Sequence, residues 1–206
     1  TATDASGNMS TCTSTVTVMD TISPTVVCQD ITVYLDGTGN ASIVAADIDG
    51  GSSDNCSPVL LSTDISSFTC SETGANLVTL TVLDPSGNSS SCVSTVTVLD
   101  TIAPTATLVI APANAECIGD VPIDIALVTG AADNCSITTI AWAADVSDGM
   151  LCPETITRTY SVTDDSGNSI DVTQIITIQD LTPPTASNPL DLSVQCSAEI
   201  PTAVVG

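Results

Sequence analysis

The stretch DPSGNSSSCVSTVTVLDTIAPT, Asp84 to Thr105, decides the fold because the chain writes it three times. DASGNMSTCTSTVTVMDTISPT fills Asp4 to Thr25, and DDSGNSIDVTQIITIQDLTPPT fills Asp164 to Thr185. Asp4, Asp84 and Asp164 stand 80 residues apart, as do Gly7, Gly87 and Gly167, then Asp20, Asp100 and Asp180, then Pro24, Pro104 and Pro184. A fixed period of this size marks a tandem array. Asp54-Asn55-Cys56-Ser57 returns 79 residues later as Asp133-Asn134-Cys135-Ser136, so the register drifts by one residue across the unit. Two full units, 20–99 and 100–179, lie between residues 1–19, which match the C-terminal hairpin of a preceding repeat, and 180–206, which match the N-terminal part of a following one. The 206 residues read as a window of a longer chain.

Working outward from the repeated phrase, STVTV (14–18 and 94–98) and NLVTLTV (76–82) mix Thr with Val and Leu at the period of two that half-buried strands require. DGTGN (36–40), DPSGN (84–88) and DDSGN (164–168) supply the Gly that a tight hairpin needs at positive φ. Helical periodicity is nowhere sustained. The expected fold is all-β: immunoglobulin-like β-sandwiches of about seven short strands, set end to end as a rod.

The net charge is −23, from 24 acidic residues against the single cation Arg158, with no His. Nucleic acid and anionic membrane are excluded as partners, since both need clustered Lys or Arg. With 43% apolar residues the chain is too hydrophobic for the disorder such charge otherwise brings. No apolar run approaches the roughly 18 residues of a membrane-spanning helix.

Units of this size bury a modest core, and Phe68, Trp142, Tyr34 and Tyr160 are the only aromatics; all four are expected inside. Nine cysteines without His indicate disulfides formed in an oxidising, extracellular setting. Cys28 and Cys92 open and close unit one, and unit two replaces both together with Leu108 and Val172, so Cys28 is expected to pair with Cys92. Cys56 with Cys70, and Cys135 with Cys152, are the expected second bridges. Cys12 and Cys196 have partners outside the window, and Cys117 is left over, either as a buried free thiol or paired with an unexpected partner or another chain. With no His or Lys beside it, no cysteine has the partner that a nucleophile requires.

The pattern GN-x3-C-x3-VTVxD followed by xxPT, with DNC in mid-unit, resembles the hyalin-repeat (HYR-type) immunoglobulin-like modules of large cell-surface adhesins of Bacteroidota. That resemblance implies export, surface attachment or fibre formation. It also implies a cysteine where this chain has Ser166, a departure that would leave Cys117 unpaired.

In an immunoglobulin-like unit the start of the first strand, the second-to-third strand loop and the last hairpin loop gather at one end. Asp100, Asp133, Asn134 and Asp164 then converge in unit two, and Asp20, Asp54, Asn55 and Asp84 in unit one. Carboxylate and amide oxygens so gathered suit Ca²⁺, whereas the same residues at turns also cap backbone amides. Asp47 and Asp49, in DIDGGSSDN (47–55), read as a solvated loop with an auxiliary site as the sharper option. Arg158 shares a strand face with Ile156, Tyr160 and Val162, and either reaches out at the sheet rim or bridges Asp124 or Asp145. Thr21 and Thr101, each in Asp-Thr-Ile, are candidate O-glycosylation sites.

The chain is not expected to be an enzyme. The expected role is a Ca²⁺-rigidified, disulfide-stapled shaft of an extracellular adhesin or filament, with neighbouring repeats, other filament subunits, surface glycans or abiotic surfaces as partners. The alternative is a carbohydrate- or protein-binding module of a secreted multidomain protein.

Overall fold

A computed structural model describes residues 1–56, 58–109 and 113–186; Cys196 lies outside them. Unit one builds its main layer from β3 (Ile31–Tyr34), β5 (Leu60–Thr63), β7 (Gly74–Leu83) and β8 (Ser89–Leu99), in spatial order β3-β8-β7-β5. β7 and β8 form the hairpin folded by DPSGN, and β3 returns parallel to β8, with Ile31 opposite Val96 and Tyr34 opposite Leu99. The facing layer pairs β4 (Asn40–Ser42) with β6 (Ser67–Thr69), extended by single bridges from Thr25 to Ser53 and Cys28 to Asp49.

The period-2 reading explains what fills the space between the layers. Val78, Leu80 and Val82 on β7 and Val96 and Val98 on β8 are fully buried, and they form one core with Leu35 just after β3, Ile43 and Ile48 after β4, and Phe68 on β6. Each such side chain contributes about 1.5–3 kcal/mol by leaving water. The sandwich closes because β7 and β8 turn Val78, Leu80, Val82, Val96 and Val98 to the inner side, while Leu77, Leu83, Val93 and Leu99 stay on the outer side or at the strand ends.

Unit two repeats the plan with β9 (Thr105–Leu108) paired to β11 (Val128–Ala132), and a layer ordered β10-β14-β13-β12, where β10 (Ala113–Ala115) runs parallel to β14 (Ser169–Ile178). β12 (Ile137–Ser147) runs straight into β13 (Glu154–Asp164), and no described strand corresponds to β6. The core is Val128, Tyr160 and Val162, with Ile156 and Ile176 also buried. Phe68 and Tyr160 lie inside as expected, but Tyr34 is 60% exposed and Trp142 44% exposed, because each sits on the outward side of its strand.

Residues 1–19 differ from the sequence expectation. β1 (Ala2–Thr3) and β2 (Met9–Ser10) make the expected hairpin, whereas Ser14–Val18 belongs to no strand and exposes Val16 and Val18. Its equivalent, the second half of β8, is held by β3 and β7.

Two disulfides are present among the described residues. Cys28 bonds Cys92, tying the start of unit one to its last strand. Cys70 bonds Cys135, across the boundary between units, in place of the expected Cys56–Cys70 and Cys135–Cys152 pairs. The reason is the length of β7. Cys56 lies beside Asp20 and Asp54, near the Asp84 end of that strand, while Cys70 precedes its other end. Ten residues of strand span about 33 Å, far beyond the reach of one disulfide. Cys12, Cys56, Cys117 and Cys152 are exposed thiols, so the buried reading of Cys117 does not hold; its sulfur faces the Asp120 carboxylate.

Candidate metal centres at the unit boundaries

Each candidate centre grows from a three-residue turn in the linker. The Asp20 Oδ1 accepts from the Ile22 amide at 3.1 Å, and Asp100 Oδ1 accepts from the Ile102 amide at 3.1 Å. Asp180 repeats the turn with the Thr182 amide at 2.9 Å. Such Asx turns use one carboxylate oxygen and leave the other to point inward. The DNC loops do the same: Asp54 Oδ2 accepts from the Cys56 amide at 3.0 Å, and Asp133 Oδ2 from the Cys135 amide at 2.9 Å.

The remaining oxygens face each other. One ligand atom each from Asp20, Asp54 and Cys56 lies within 4.8 Å of the others, and the same holds for Asp100, Asp133 and Cys135. Asp20 Oδ2, Asp54 Oδ1, Asp100 Oδ2 and Asp133 Oδ1 are buried without a hydrogen-bond partner, and Asn134 Oδ1 joins them at the second cluster. Asp100 as a whole is 7% exposed. Paired carboxylates held this close repel each other, and buried acceptors without donors cost about 1–3 kcal/mol each, more when charged. A hard divalent cation between them reverses both costs.

Asp84 and Asp164 stand one layer behind. Asp84, 2% exposed, accepts from the Asn88 side chain at 2.7 Å and its amide at 2.8 Å, and the Asn88 side chain also donates to the Asp20 carbonyl at 3.2 Å. Asp164, Asn168 and Asp100 repeat the arrangement, with Asn168 donating to the Asp100 carbonyl at 3.2 Å. Burial pushes the Asp84 carboxyl up, but hydrogen bonds from Asn88, Gly87 and Ser86 outweigh it and hold it below the ordinary aspartate value. Asn88 and Asn168 were missed from sequence, although Asn8, Asn88 and Asn168 share the 80-residue spacing.

The second cluster also touches unit one. Asn134 donates to the Asp36 carbonyl at 3.2 Å and to Asp100 Oδ1 at 3.1 Å, and Cys135 packs against the unit-one core. Gly39, at φ +75°, allows this approach: a Cβ there would lie 2.6 Å from the Asn134 carbonyl oxygen and 2.7 Å from the Cys70 sulfur. Asn55 has no such neighbour; it is exposed and its side chain turns to the Cys56 sulfur. The Cys56 thiol is pushed up first by the Asp20 carboxylate beside it, with the charges of Asp54 and Asp84 adding to the effect.

Asp47 and Asp49 are engaged locally, accepting from the Val44 and Ser52 amides. Arg158 is 2% exposed and pairs with Asp145 through both carboxylate oxygens at 2.9 Å; its third nitrogen donates to the Val121 and Pro122 carbonyls. Of the two sequence alternatives, the inward bridge to Asp145 is the one formed. Thr21 and Thr101 are exposed.

No family model matches the chain, and no curated protein matches it. Among solved structures it is similar to Drosophila N-cadherin EC1-4 at 13% identity, covering 77% of this chain and 50% of that one, with a TM-score of 0.38. It is also similar to mouse clustered PcdhgC3 EC1-3 at 13% identity, covering 77% of this chain and 68% of that one, with a TM-score of 0.27. The chain thus spans half the length of the N-cadherin chain.

Proposed function

We propose that the chain is part of the shaft of an extracellular adhesin or filament, in which Ca²⁺ bound at the foot of each sandwich stiffens the joint with the unit before it. The observation that carries the reading is the set of buried, unpartnered oxygens on Asp20 and Asp54, and on Asp100, Asp133 and Asn134. Asn88 and Asn168 hold the linker aspartates in place, and the sulfurs of Cys56 and Cys135, soft donors, stand beside a hard-oxygen site. The linkers are short, and Pro24 and Pro104 within them are buried, which supports a joint with little freedom. No catalysis is assigned, because no His or Lys exists to activate a nucleophile.

Thermal melting with and without Ca²⁺ tests this. Saturating Ca²⁺ should raise the midpoint by several degrees, EDTA should reverse the rise, and Asp100→Asn with Asp133→Asn should remove the unit-two share. Identical melts in Ca²⁺ and EDTA would sink the proposal.

A binding module is favoured by one observation, the outward-facing Tyr34 and Trp142. Tight binding on a glycan array, lost in Trp142→Ala, would move the assignment to that class.

A further inference from the structure

We infer that Cys70–Cys135 is one link of a repeating cross-link between successive repeats, and that Cys56 and Cys152 are the acceptor and donor halves of the same link at the adjoining boundaries. Cys56 occupies in DNC of unit one the place of Cys135 in DNC of unit two. Each sulfur lies beside a linker aspartate and the DNC aspartate, Asp20 with Asp54 or Asp100 with Asp133. Cys152 stands just ahead of β13, at the end remote from Asp164, as Cys70 stands just ahead of β7, at the end remote from Asp84. Cys135 is bonded forward from the repeat before it, and both Cys56 and Cys152 are exposed thiols. Cys56 therefore receives the sulfur of a Cys70-type residue in a repeat ahead of unit one, and Cys152 presents its own to a DNC cysteine in a repeat behind unit two.

Among the described residues unit two has no β6 counterpart, so Cys152 is displayed on the β12–β13 turn rather than after a separate strand, yet at the same end of the unit. Formation needs a two-electron oxidant, here a small-molecule disulfide of the glutathione class. The first thiolate attacks that disulfide and expels one thiol; the second thiolate attacks the mixed disulfide and expels the other. Two protein S–H bonds are lost, one S–S bond forms, and the oxidant leaves as two thiols.

The inference does not rest on bound Ca²⁺, and its test is read by peptide mapping alone. Duplicating residues 20–179 once within the full chain, directly after Gln179, sets the first Cys152 64 residues ahead of the second Cys56, against the 65 between Cys70 and Cys135. After refolding in glutathione buffer, monomers of the duplicated protein should yield a Cys152–Cys56 linked peptide that monomers of the original chain lack. Cys56–Cys70 or Cys135–Cys152 links, or both junction thiols still open to alkylation in folded monomer, would overturn the inference. Should the duplicated chain not fold, the original chain decides, oxidised at high concentration as a mixture of two isotope labels. Intermolecular bonds should then be Cys56–Cys152 in excess; homotypic bonds at the share that random collision gives would count against it.

Discussion

Units one and two share a plan but are held together differently. Unit one wraps a disulfide, Cys28–Cys92, around a core of Val, Leu, Ile and Phe side chains. Unit two puts Leu108 and Val172 where those cysteines stand, keeps a smaller core around Tyr160, and buries the chain's one cation against Asp145. A covalent clasp can be exchanged for apolar contact and an ion pair made by a buried arginine without changing the sandwich, because the alternating strands carry the fold. What is not exchanged is the boundary, where both units keep the same aspartates and the same asparagine brace.

Five variants sharpen that contrast. Cys28→Ala with Cys92→Ala should cost unit one about 4 kcal/mol, the loop-closure value for a 64-residue separation, and leave unit two unmoved; denaturant unfolding followed by unit-specific probes reads this. Arg158→Met should cost unit two about 2 kcal/mol by removing the charged hydrogen bonds to Asp145 and to the Val121 and Pro122 carbonyls. The hydrogen bond from Arg158 holds the Asp145 carboxyl below the usual aspartate range, so its stabilisation is complete above about pH 4 and fades as pH falls through that lowered value. The variant should lose this acid-sensitive part of the melt.

Gly39→Ala should cost about 2 kcal/mol at the joint alone, from the positive φ and the clash with Asn134, and should slow closure of Cys70–Cys135 during refolding. Asn88→Ala and Asn168→Ala should each cost about 1 kcal/mol and weaken Ca²⁺ binding at their own cluster only, measured by calorimetric titration. Equal loss at both clusters from either change would show the centres to be coupled.

The hairpin turns and the long strands β7, β8 and β14 were legible because they depend on local chemistry, alternation of Val with Thr and Gly at hairpins, whereas Ser14–Val18 carries the same pattern and forms no strand. The aspartates of the clusters were legible for the same reason, since period 80 repeats them. Cys70–Cys135 was not, because the two sulfurs are neighbours only once one unit is docked on the next. Proximity in sequence favoured Cys56–Cys70, and the ten residues of β7 that separate their ends count only in space. Cys117 was misplaced because an apolar preference was assigned to a thiol that sits in an exposed turn. Arg158 was placed correctly as to face, as strand alternation requires.

The two disulfides interlock along the chain, since residues 28–92 and 70–135 overlap. Under a pulling force, the shortest covalent path from Cys28 to Cys135 crosses to Cys92, retreats to Cys70 and crosses again. Only 22 residues of that path are extensible backbone, about 75 Å, where the uncrossed 107 residues would pay out about 370 Å. Even with unit one unravelled, the tether stays short, so the load passes through sulfur bonds before the sandwich has much slack to release.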